Sequence, residues 1–567
     1  MRESELPEMR VSIKLGSALA RLLEGEHAPR LQARCAETLR RVLATMGIPA
    51  APAARLELLP AGVSALMQVS IDARECPCPT PMLLIAAAYG MGVPLGSFAD
   101  PQLQRWLATA EPAALGRWLE LILYEAISRR ASVLLGPAQL AAYRARLVAG
   151  PDRERLRLPS DQVLGQVLGR VLDQRLSLAD TGSVAEWIAS TASSSSSVPS
   201  IAEGLMTYLQ PNHVGLRMSE ATLREMTLAA GEGSRDAFSL LRSALFYQLG
   251  VHLPDFLLEV DPELEGRSFA LRINHLSTLP RVGLAPDECL TSATTDAPPD
   301  STPKRARNPA TGEAASIVAR SSAAALRASG HTTWDAFGYM VLSLVDQLRS
   351  HAAYLLESPR PKRLKKRRWS KRSHRRAGST PQRATPELEH VSDTELLTPV
   401  LRALVAEQVS IRDQSRIREL IQEFGSITVG STTSIVFDDR LPVVEPASDA
   451  ASETDRLTAF VRMWLKRQLS HHYAIDGSTL VAYVLDPELE RELATESPTP
   501  ERAGAIAKAV IEQVPERFMG RVLLTTINAR PRLSRILRDE LPGLPVLAYQ
   551  ELSIDTSIQT IGRISVD

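Results

Sequence analysis

The sequence predicts a mixed α/β (α+β) protein of several subdomains with an internally duplicated front half. Three observations support this prediction. The 567 residues are too many for one hydrophobic core, so the chain should divide into about three to five units. Amphipathic helical patterns that stop at a glycine precede short runs of strand-forming residues. The same succession of elements then recurs about 200 residues later in the chain.

The composition is that of an ordinary globular protein, with 44% hydrophobic and 23% charged residues. The 65 basic and 65 acidic residues cancel, so no overall charge attracts nucleic acid or an anionic membrane. The 4 cysteines are too scattered for a disulfide framework, which favours a reducing compartment. We interpret Cys76 and Cys78 as two thiols in a proline-rich turn; a soft-metal or redox site is the less favoured alternative, because no second Cys/His pair lies at zinc-ligand spacing.

The N-terminus, MRESELPEMR, is charged and lacks the apolar core of a secretory signal. The longest uncharged run, 79–98, is interrupted by three glycines and three prolines, so we interpret it as a core strand and a turn rather than a membrane span. We therefore expect a soluble cytoplasmic protein with no membrane span of its own.

Four stretches have the composition of linkers: the serine-rich 191–200, the Thr/Pro/Asp-rich 291–313, the basic 358–386, and 431–453. The predicted organisation is a tail at 1–9, a divergent first copy at 10–190, a Ser-rich linker at 191–206, subdomain 1 of the second copy at 207–265, a small inserted β-rich subdomain at 266–318, return helices at 319–357, a basic disordered linker at 358–392, helical subdomain 3 at 393–430, a linker at 431–452 and a C-terminal α/β subdomain 4 at 453–567.

An internal repeat becomes visible when Gly47 is aligned with Gly250. Each glycine ends an amphipathic helix and precedes a strand, a turn and a second strand, and later helices correspond in the same order. The aligned segments are 38–47 with 241–250, 55–58 with 256–260, 66–71 with 269–273, 118–135 with 334–356, and 163–188 with 400–421. We interpret 10–190 as a divergent copy of 210–430. Chance agreement is the alternative, since apolar spacing alone produces partial matches.

Two motifs in the second half are more specific. The segment 523–564 reads as a strand, an Arg-rich helix, a second strand carrying PVLAYQEL and a closing segment, and the turn 409–413 reads VSIRD. In the order of these motifs and of the elements around them, the stretch 205–567 resembles the cytoplasmic domain of the FlhA/SctV (FHIPEP) family of type III secretion and flagellar export-gate proteins. The resemblance implies thioredoxin-like and ferredoxin-like α/β units joined to helical units. The chain departs from the family in having no recognisable membrane half, a duplicated front half, and inserts at 358–386 and 431–453.

The VSIRD turn also has a physical interpretation. We expect Ser410 to cap the following helix and Asp413, in its first turn, to face the positive end of the helix dipole. Ile411 should fill the junction between the two helices. The first copy reads LSLAD at 176–180, so the arginine is lost there. Any contact that Arg412 makes to a neighbouring molecule should be missing from the first copy.

The resemblance implies a protein-binding component or regulator of a type III, flagellar-type protein secretion system, peripheral to a membrane export apparatus. The implied partners are export-apparatus proteins, substrate–chaperone complexes and other copies of the chain. No cofactor or metal is implied, and the sequence lacks the common catalytic motifs, so no enzymatic activity is expected. The implied protein-binding residues, in the cleft between the first and inserted subdomains and at a subunit contact, are Phe269, Leu271, Ile273, Arg412 and Asp413.

Two other interpretations remain open. The run 360–376 holds eleven Lys or Arg, no acidic residue and one aromatic, Trp369, and we expect it to be disordered by self-repulsion. A nucleic-acid-associated protein would use such a run to bind a polyanion, but we favour a solvated linker. The second alternative is a scaffold built by duplication, with no export role. The candidate polyanion-binding residues are Lys362, Arg363, Lys365, Lys366, Arg367 and Arg368.

Overall fold

The computed structural model of the chain describes residues 6–60, 66–76, 84, 87–88, 101–149, 158–191, 198–209, 213–229, 233–293, 304–356, 390–429, 453–514, 521–541 and 544–566. These residues form three units, which we call the N-terminal unit (8–208), the middle unit (214–429) and the C-terminal unit (453–566). Each unit combines helices with a sheet, which confirms the predicted mixed α/β class.

Short strands and longer helices follow one another along the three units. The strands are β1 (Glu8–Leu15), β2 (Ala51–Leu58), β3 (Met67–Ile71), β4 (Arg74–Glu75), β5 (Val214–Met218), β6 (Phe256–Val260), β7 (Ser268–Ile273), β8 (Leu276–Ser277), β9 (Arg281–Val282), β10 (Glu288–Thr291), β11 (Lys304–Arg307), β12 (Ala314–Ala319), β13 (Thr333–Trp334), β14 (Thr479–Leu485), β15 (Arg521–Thr525), β16 (Val546–Ala548) and β17 (Ser557–Ile564). The α-helices are α1 (His27–Met46), α2 (Pro101–Thr109), α3 (Pro112–Arg129), α4 (Pro137–Val148), α5 (Asp161–Asp173), α6 (Thr181–Thr191), α7 (Val198–Tyr208), α8 (Glu220–Ala229), α9 (Gly233–Leu249), α10 (Ala323–Ala328), α11 (Ala336–His351), α12 (His390–Ala406), α13 (Gln414–Val429), α14 (Glu453–Trp464), α15 (Lys466–Tyr473), α16 (Pro487–Thr495), α17 (Pro500–Gln513) and α18 (Arg530–Glu540).

The N-terminal unit packs helices on one sheet of strand order β2-β1-β3-β4. Strands β1 and β2 are parallel, whereas β1 and β3 are antiparallel. Helix α1 connects β1 to β2, and its apolar residues recur at helical spacing, so that Leu39, Leu43 and Met46 are buried together. Gly47 follows the helix with φ 74°, a left-handed conformation that glycine adopts without steric strain.

The middle unit begins with a sheet of the same order and directions, β6-β5-β7-β8, in which β5 is parallel to β6 and antiparallel to β7. Gly250 follows α9 with φ 77°. Phe269, Leu271 and Ile273 alternate along β7 and are buried in the core of this unit. The predicted start of the inserted subdomain at 266 therefore differs from the structure, because β7 pairs with β5, a strand distant in sequence.

The inserted sheet of the middle unit has the order β11-β12-β10-β13 and is antiparallel. It lies between β9 and α11 in the chain, and small apolar clusters hold it against α10 and α11. Helices α12 and α13 complete the unit, and their apolar faces share one core with β5, β7 and α9. The turn between α12 and α13 carries the VSIRD motif.

Two predicted segments of the front half differ from the structure. The predicted linker 191–206 contains most of α7, whose apolar face lies in the core of the N-terminal unit. In the run 79–98 the described residues, Leu84, Ala87 and Ala88, are helical and buried, so the predicted strand is wrong there. Alanine is the strongest helix former, and an Ala-rich run favours helix over strand once it is buried.

The C-terminal unit is a parallel sheet of order β16-β15-β14-β17. Helices α16 and α17 connect β14 to β15, and α18 connects β15 to β16. This succession agrees with the strand, Arg-rich helix and second strand read from 523–564. None of the described helices is both long enough and apolar enough to cross a membrane.

Candidate protein-binding surface

The VSIRD turn is held against the end of α9 by a close backbone approach. Ile411 N donates a hydrogen bond to the carbonyl oxygen of Leu249 (2.9 Å). A Cβ atom on Gly250 would lie 2.5 Å from Arg412 N, which no side chain tolerates. Glycine at the helix end therefore serves two purposes: it adopts the left-handed conformation, and it lets the turn approach. Ile411 is fully buried below the turn, as the sequence predicts.

Asp413 is the cap of α13. Its Oδ1 accepts a hydrogen bond from Arg416 N (3.0 Å), the third residue of the helix. The expectation that Ser410 caps this helix is wrong, because Ser410 lies too far ahead of Gln414, the first helical residue. Its carbonyl oxygen instead accepts from Gln468 Nε2 (3.2 Å) on α15. The turn is thus tied to the α14–α15 pair that follows it.

Two arginine–aromatic stacks project from this turn and the helix after it. The guanidinium of Arg412 lies 5.2 Å from the ring centroid of Tyr247 on α9, and that of Arg416 lies 5.8 Å from the ring centroid of Trp464 on α14. Tyr247 and Trp464 are 64% and 44% exposed. Leu240, two helical turns before Tyr247 on the same face of α9, is 69% exposed. We call these five residues the Arg412 surface.

The equivalent face of the N-terminal unit has a different character. Counting back from Gly47 as from Gly250, Glu37 stands in place of Leu240 and Ala44 in place of Tyr247. Between them, Arg40 forms an ion pair with Glu37 on the solvent side of α1. Ala179 stands in place of Arg412. The N-terminal unit therefore presents charged and small side chains where the middle unit presents Leu240, Tyr247 and Arg412.

A buried charge cluster around Glu407, directly before the VSIRD turn in the chain, holds the turn in place. Glu407 Oε2 accepts from Arg462 Nη1 (2.9 Å) and from Arg530 Nη1 (2.7 Å). Arg462 also donates from Nε and Nη2 to the two carboxylate oxygens of Glu551 (2.7 and 2.8 Å). Glu551 belongs to PVLAYQEL, and its Oε2 accepts from Ala548 N (3.1 Å). This cluster joins the end of α12 to the C-terminal unit.

The cluster keeps Glu407 ionised. Burial by itself would raise the pKa of this carboxyl group, but the positive charges of Arg530, Arg462 and Arg538 outweigh burial and lower the pKa to about 2. The side chain of Glu407 is only 12% exposed, so solvent screens these attractions weakly. Because breaking one partner leaves another charge buried, the cluster holds the C-terminal unit in one position relative to the end of α12.

The structure brings only some of the predicted site residues together. Arg412 and Asp413 are adjacent and exposed at the VSIRD turn. Phe269, Leu271 and Ile273 lie in the core beneath β7 rather than on an exposed surface. The candidate polyanion-binding run, which includes Lys362, Arg363, Lys365, Lys366, Arg367 and Arg368, lies outside the described residues.

Sequence reasoning missed the aromatic half of the Arg412 surface and the buried charge cluster. Leu240 and Tyr247 stand seven residues apart, a spacing that extends the apolar face of α9 onto its solvent side. Glu551 was a usable signal as well, because it is the one charged residue within PVLAYQEL, a stretch expected to form a strand. Its arginine partner was not identifiable from spacing alone.

A comparison with protein-family models decides the affiliation. The model of the FHIPEP family matches residues 167–557, well over half of the chain. The chain belongs to the FHIPEP family. The matched stretch of this FHIPEP chain contains the VSIRD turn, the whole Arg412 surface and all of PVLAYQEL, and it begins within α5 of the N-terminal unit.

The curated relatives agree with this affiliation. The low calcium response locus protein D of Yersinia pestis is 27% identical over 193 residues, which cover 31% of this chain and 24% of that protein. The flagellar biosynthesis protein FlhA of Bacillus subtilis (strain 168) is 26% identical over 195 residues, 32% of this chain and 25% of that protein. The FHIPEP chain spans about a quarter of the length of these relatives.

Similar solved structures include the CdsV protein of Chlamydia pneumoniae, with a TM-score of 0.48 and 21% identity, covering 63% of this chain and 99% of that chain. A second is the nonameric EPEC SctV-C, with a TM-score of 0.42 and 15% identity, covering 62% of this chain and 98% of that chain.

Proposed function

We propose that this FHIPEP-family protein is a protein-binding component or regulator of a type III, flagellar-type protein export apparatus, and that it binds its partners through the Arg412 surface. One observation carries the proposal: two exposed arginine–aromatic stacks, whose arginines are four residues apart, and an exposed leucine two helical turns from the first ring all fall within the stretch that matches the family. Arginine and aromatic residues are the types most enriched at the energetic centres of protein interfaces.

The proposed partners are export-apparatus proteins, substrate–chaperone complexes and other copies of this chain. Binding would take place at the periphery of a membrane export apparatus. The name of one matched relative, the putative truncated flagellar export/assembly protein LfhA of Escherichia coli (strain K12), supports export proteins as the partner class. Phe269, Leu271 and Ile273 would act from the core, by holding the sheet in shape. Arg412 and Asp413 would act directly, because both are exposed at the turn. The proposal requires no catalytic chemistry and no cofactor.

We also propose that the N-terminal unit is a divergent duplicate of the middle unit. Four strands have the same order and directions in the two sheets, which supports this origin; the sheet of the middle unit adds β9, paired with β7. Gly47 and Gly250 support it as well, since they end equivalent helices with φ 74° and 77°. Asp180 and Asp413 cap equivalent helices by accepting from the backbone N–H three residues on, at 3.0 Å in both units. Charged residues on α1 then indicate that the duplicate lost the binding surface.

The test is affinity capture of the tagged protein from its own cells, with identification of the bound proteins and of RNA. The Arg412 surface is removed by Leu240→Ser with Tyr247→Ser. The matched control removes the equivalent face of the N-terminal unit by Glu37→Ser with Arg40→Ser. Both pairs change exposed side chains, so folding should be preserved in each, as circular dichroism would verify.

We expect the wild type and the control pair to capture export-apparatus proteins, and the Leu240/Tyr247 pair to lose them at least 10-fold, because truncation of two central apolar anchors removes most of the binding free energy. Capture of RNA in place of export proteins would favour the nucleic-acid alternative. Capture of neither would favour the scaffold. Either result would contradict the proposed function.

A further inference from the structure

The N-terminal unit docks on the turn between β7 and β8 of the middle unit. His275 N donates a hydrogen bond to the carbonyl oxygen of Arg175 (3.1 Å), and Ser177 N donates to His275 Nδ1 (3.1 Å). Asn274 Nδ2 donates to the carbonyl oxygen of Gln174 (3.1 Å). Two turns thus meet backbone to backbone. We call 174–177 the donor turn and 274–277 the acceptor turn.

Side chains extend this contact. Tyr124 Oη accepts from Ser277 N (2.9 Å). The guanidinium of Arg175 lies 5.3 Å from the ring centroid of Tyr354, and its Nη2 lies 3.9 Å from Glu125 Oε1. Arg175 and Glu125 are almost fully buried, so the contact withdraws a cation and a carboxylate from water together. Because separating the two turns would leave these charges without their partners, the contact depends on this one geometry.

An apolar residue anchors the same turn. Leu276 is 1% exposed and packs in the hydrophobic core of the N-terminal unit, although it belongs to the middle unit. Leu279, two residues beyond the acceptor turn, packs against the same core. If the acceptor turn were withdrawn, a cavity would open in the surface of the N-terminal unit.

The contact is head-to-tail. Arg175 has φ 60° in the donor turn, and Gln408 has φ 60° at the equivalent position of the middle unit. Asn274 has φ 56° in the acceptor turn, and Asp72 has φ 48° at the equivalent position of the N-terminal unit. Different faces of two similar units therefore meet. A contact of this kind continues from unit to unit unless something closes its ends.

Both ends are closed by the chain itself. The turn equivalent to the acceptor is covered by α4, where Gln139 Nε2 donates to Asp72 Oδ2 (3.2 Å). The turn equivalent to the donor is covered by the C-terminal unit, because Glu407 is bound by Arg462 and Arg530. Hence the contact is made once within the chain and goes no further.

We propose that the acceptor turn is a docking site for the donor turn of this fold, whichever chain supplies it, and that the chain fills this site in cis with its own N-terminal unit. The partner it fits is a second copy of this chain whose own contact between the donor and acceptor turns is open. Because both turns belong to one chain, the donor turn reaches the acceptor turn at an effective concentration on the order of 1 mM, so the cis contact excludes a second copy at micromolar concentration. This proposal does not depend on an export role.

The test uses two glycine variants of the full chain. Arg175→Gly damages the donor turn and leaves the acceptor turn intact; Asn274→Gly does the reverse. Glycine suits both positions because each has positive φ, so the variants remove side chains without straining the backbone. Each variant retains the half that the other lacks. The two are labelled with different fluorophores and mixed, and association is followed by energy transfer.

We expect the mixture to associate with an apparent Kd at least 10-fold lower than that of two labelled wild-type samples, while neither variant alone differs from the wild type. Amide exchange at His275 and Ser277, measured on Arg175→Gly, should rise at least 10-fold because both N–H groups lose their partners. Where exchange does not rise, Tyr124→Phe is added to the donor variant and Leu276→Ala to the acceptor variant.

Gln408→Gly is the matched control, since it has the same φ but its Nε2 bonds to the carbonyl oxygen of Arg349 within the middle unit (3.0 Å). Mixed with Asn274→Gly, it should associate no better than the wild type. The proposal is overturned if the opened donor and acceptor variants, both folded by circular dichroism, do not associate, or if the Gln408→Gly mixture associates equally well.

Discussion

Gly47 and Gly250 occupy the same place in two similar units, and each lies directly against the backbone of a turn far away in the sequence. Gly47 faces Leu178 and Ala179, whereas Gly250 faces Ile411 and Arg412. A Cβ atom at either glycine would overlap backbone atoms of the facing turn. Backbone cannot rotate aside as the end of a side chain can, so the helix end and the turn are fixed to one another.

Gly250→Ala should strongly destabilise the protein. The left-handed backbone costs a non-glycine residue about 1–2 kcal/mol, and the overlap with the 411–412 backbone adds to this. We expect the free energy of unfolding to fall by about 3 kcal/mol or more in urea titrations. The Arg412 surface should be lost together with stability, because the turn must move away from α9.

Gly477→Ala is the matched control. Gly477 also has positive φ (73°), but a Cβ atom there meets nothing within 4 Å. The free energy of unfolding should therefore fall only by the cost of the left-handed backbone, about 1–2 kcal/mol. Equal losses for Gly250→Ala and Gly477→Ala would contradict the claim that close approach of the turn requires glycine at 250.

These glycines also indicate which parts of the fold the sequence reveals. A helix that ends in glycine before a strand is a local pattern, so the equivalence of Gly47 and Gly250 was predictable from short segments. The assignment of β7 to a separate subdomain failed because the pairing of β7 with β5 is not local. The Arg462 contacts with Glu551 and the Arg530 contact with Glu407 span 89 and 123 residues, so no spacing rule identifies them.

Glu407→Gln should make the protein less sensitive to acid. The pKa of Glu407 is about 2 in the folded protein, below its ordinary value of 4.5, so ionised Glu407 contributes stability above pH 4.5 that is lost as the pH falls towards 2. The shift corresponds to about 3 kcal/mol. The difference in unfolding free energy between wild type and Glu407→Gln, from urea titrations, should therefore be large at pH 7 and shrink between pH 4.5 and 2.

Glu419→Gln provides the comparison for this experiment. Glu419 pairs with Arg416 at 3.1 Å, but its side chain is 63% exposed, and such surface pairs contribute at most about 1 kcal/mol. We expect a small effect on stability. A difference between wild type and Glu407→Gln that does not change across this pH range would show that the charge of Glu407 does not stabilise the fold.

His351→Gln should remove a second sensitivity to acid, in a higher pH range, at the contact between the N-terminal and middle units. Burial, followed by the positive charge of Arg175, lowers the pKa of His351 to about 4. The unfolded chain therefore binds a proton that the folded chain excludes, and wild-type stability falls as the pH decreases from 6.5 towards 4. Over that range the free energy of unfolding should fall by less in His351→Gln than in the wild type, and the difference should be up to about 3 kcal/mol.

The charges around His351 partly offset one another, since Glu125 favours its protonation and Arg129 opposes it. His27→Gln is the control, because His27 is exposed at the start of α1. It controls for the loss of one histidine that makes no buried contact. If His351→Gln also follows the wild-type curve between pH 6.5 and 4, the imidazole is not excluded from protonation in the fold.

Arg412→Ala should weaken self-association or binding to an export-gate ring while leaving the fold intact. In the isolated protein Arg412 is exposed and its stack on Tyr247 contributes about 0.5–1 kcal/mol, so unfolding should change little. An arginine that becomes desolvated at an interface contributes several times more, so association measured by sedimentation should weaken at least 10-fold.

Ala179→Arg, at the equivalent turn of the N-terminal unit, should have little effect, because the facing residue on α1 is Ala44 and offers no ring for the guanidinium. A wild type that stays monomeric at high concentration and captures no export component would refute the role of this surface and favour the scaffold alternative.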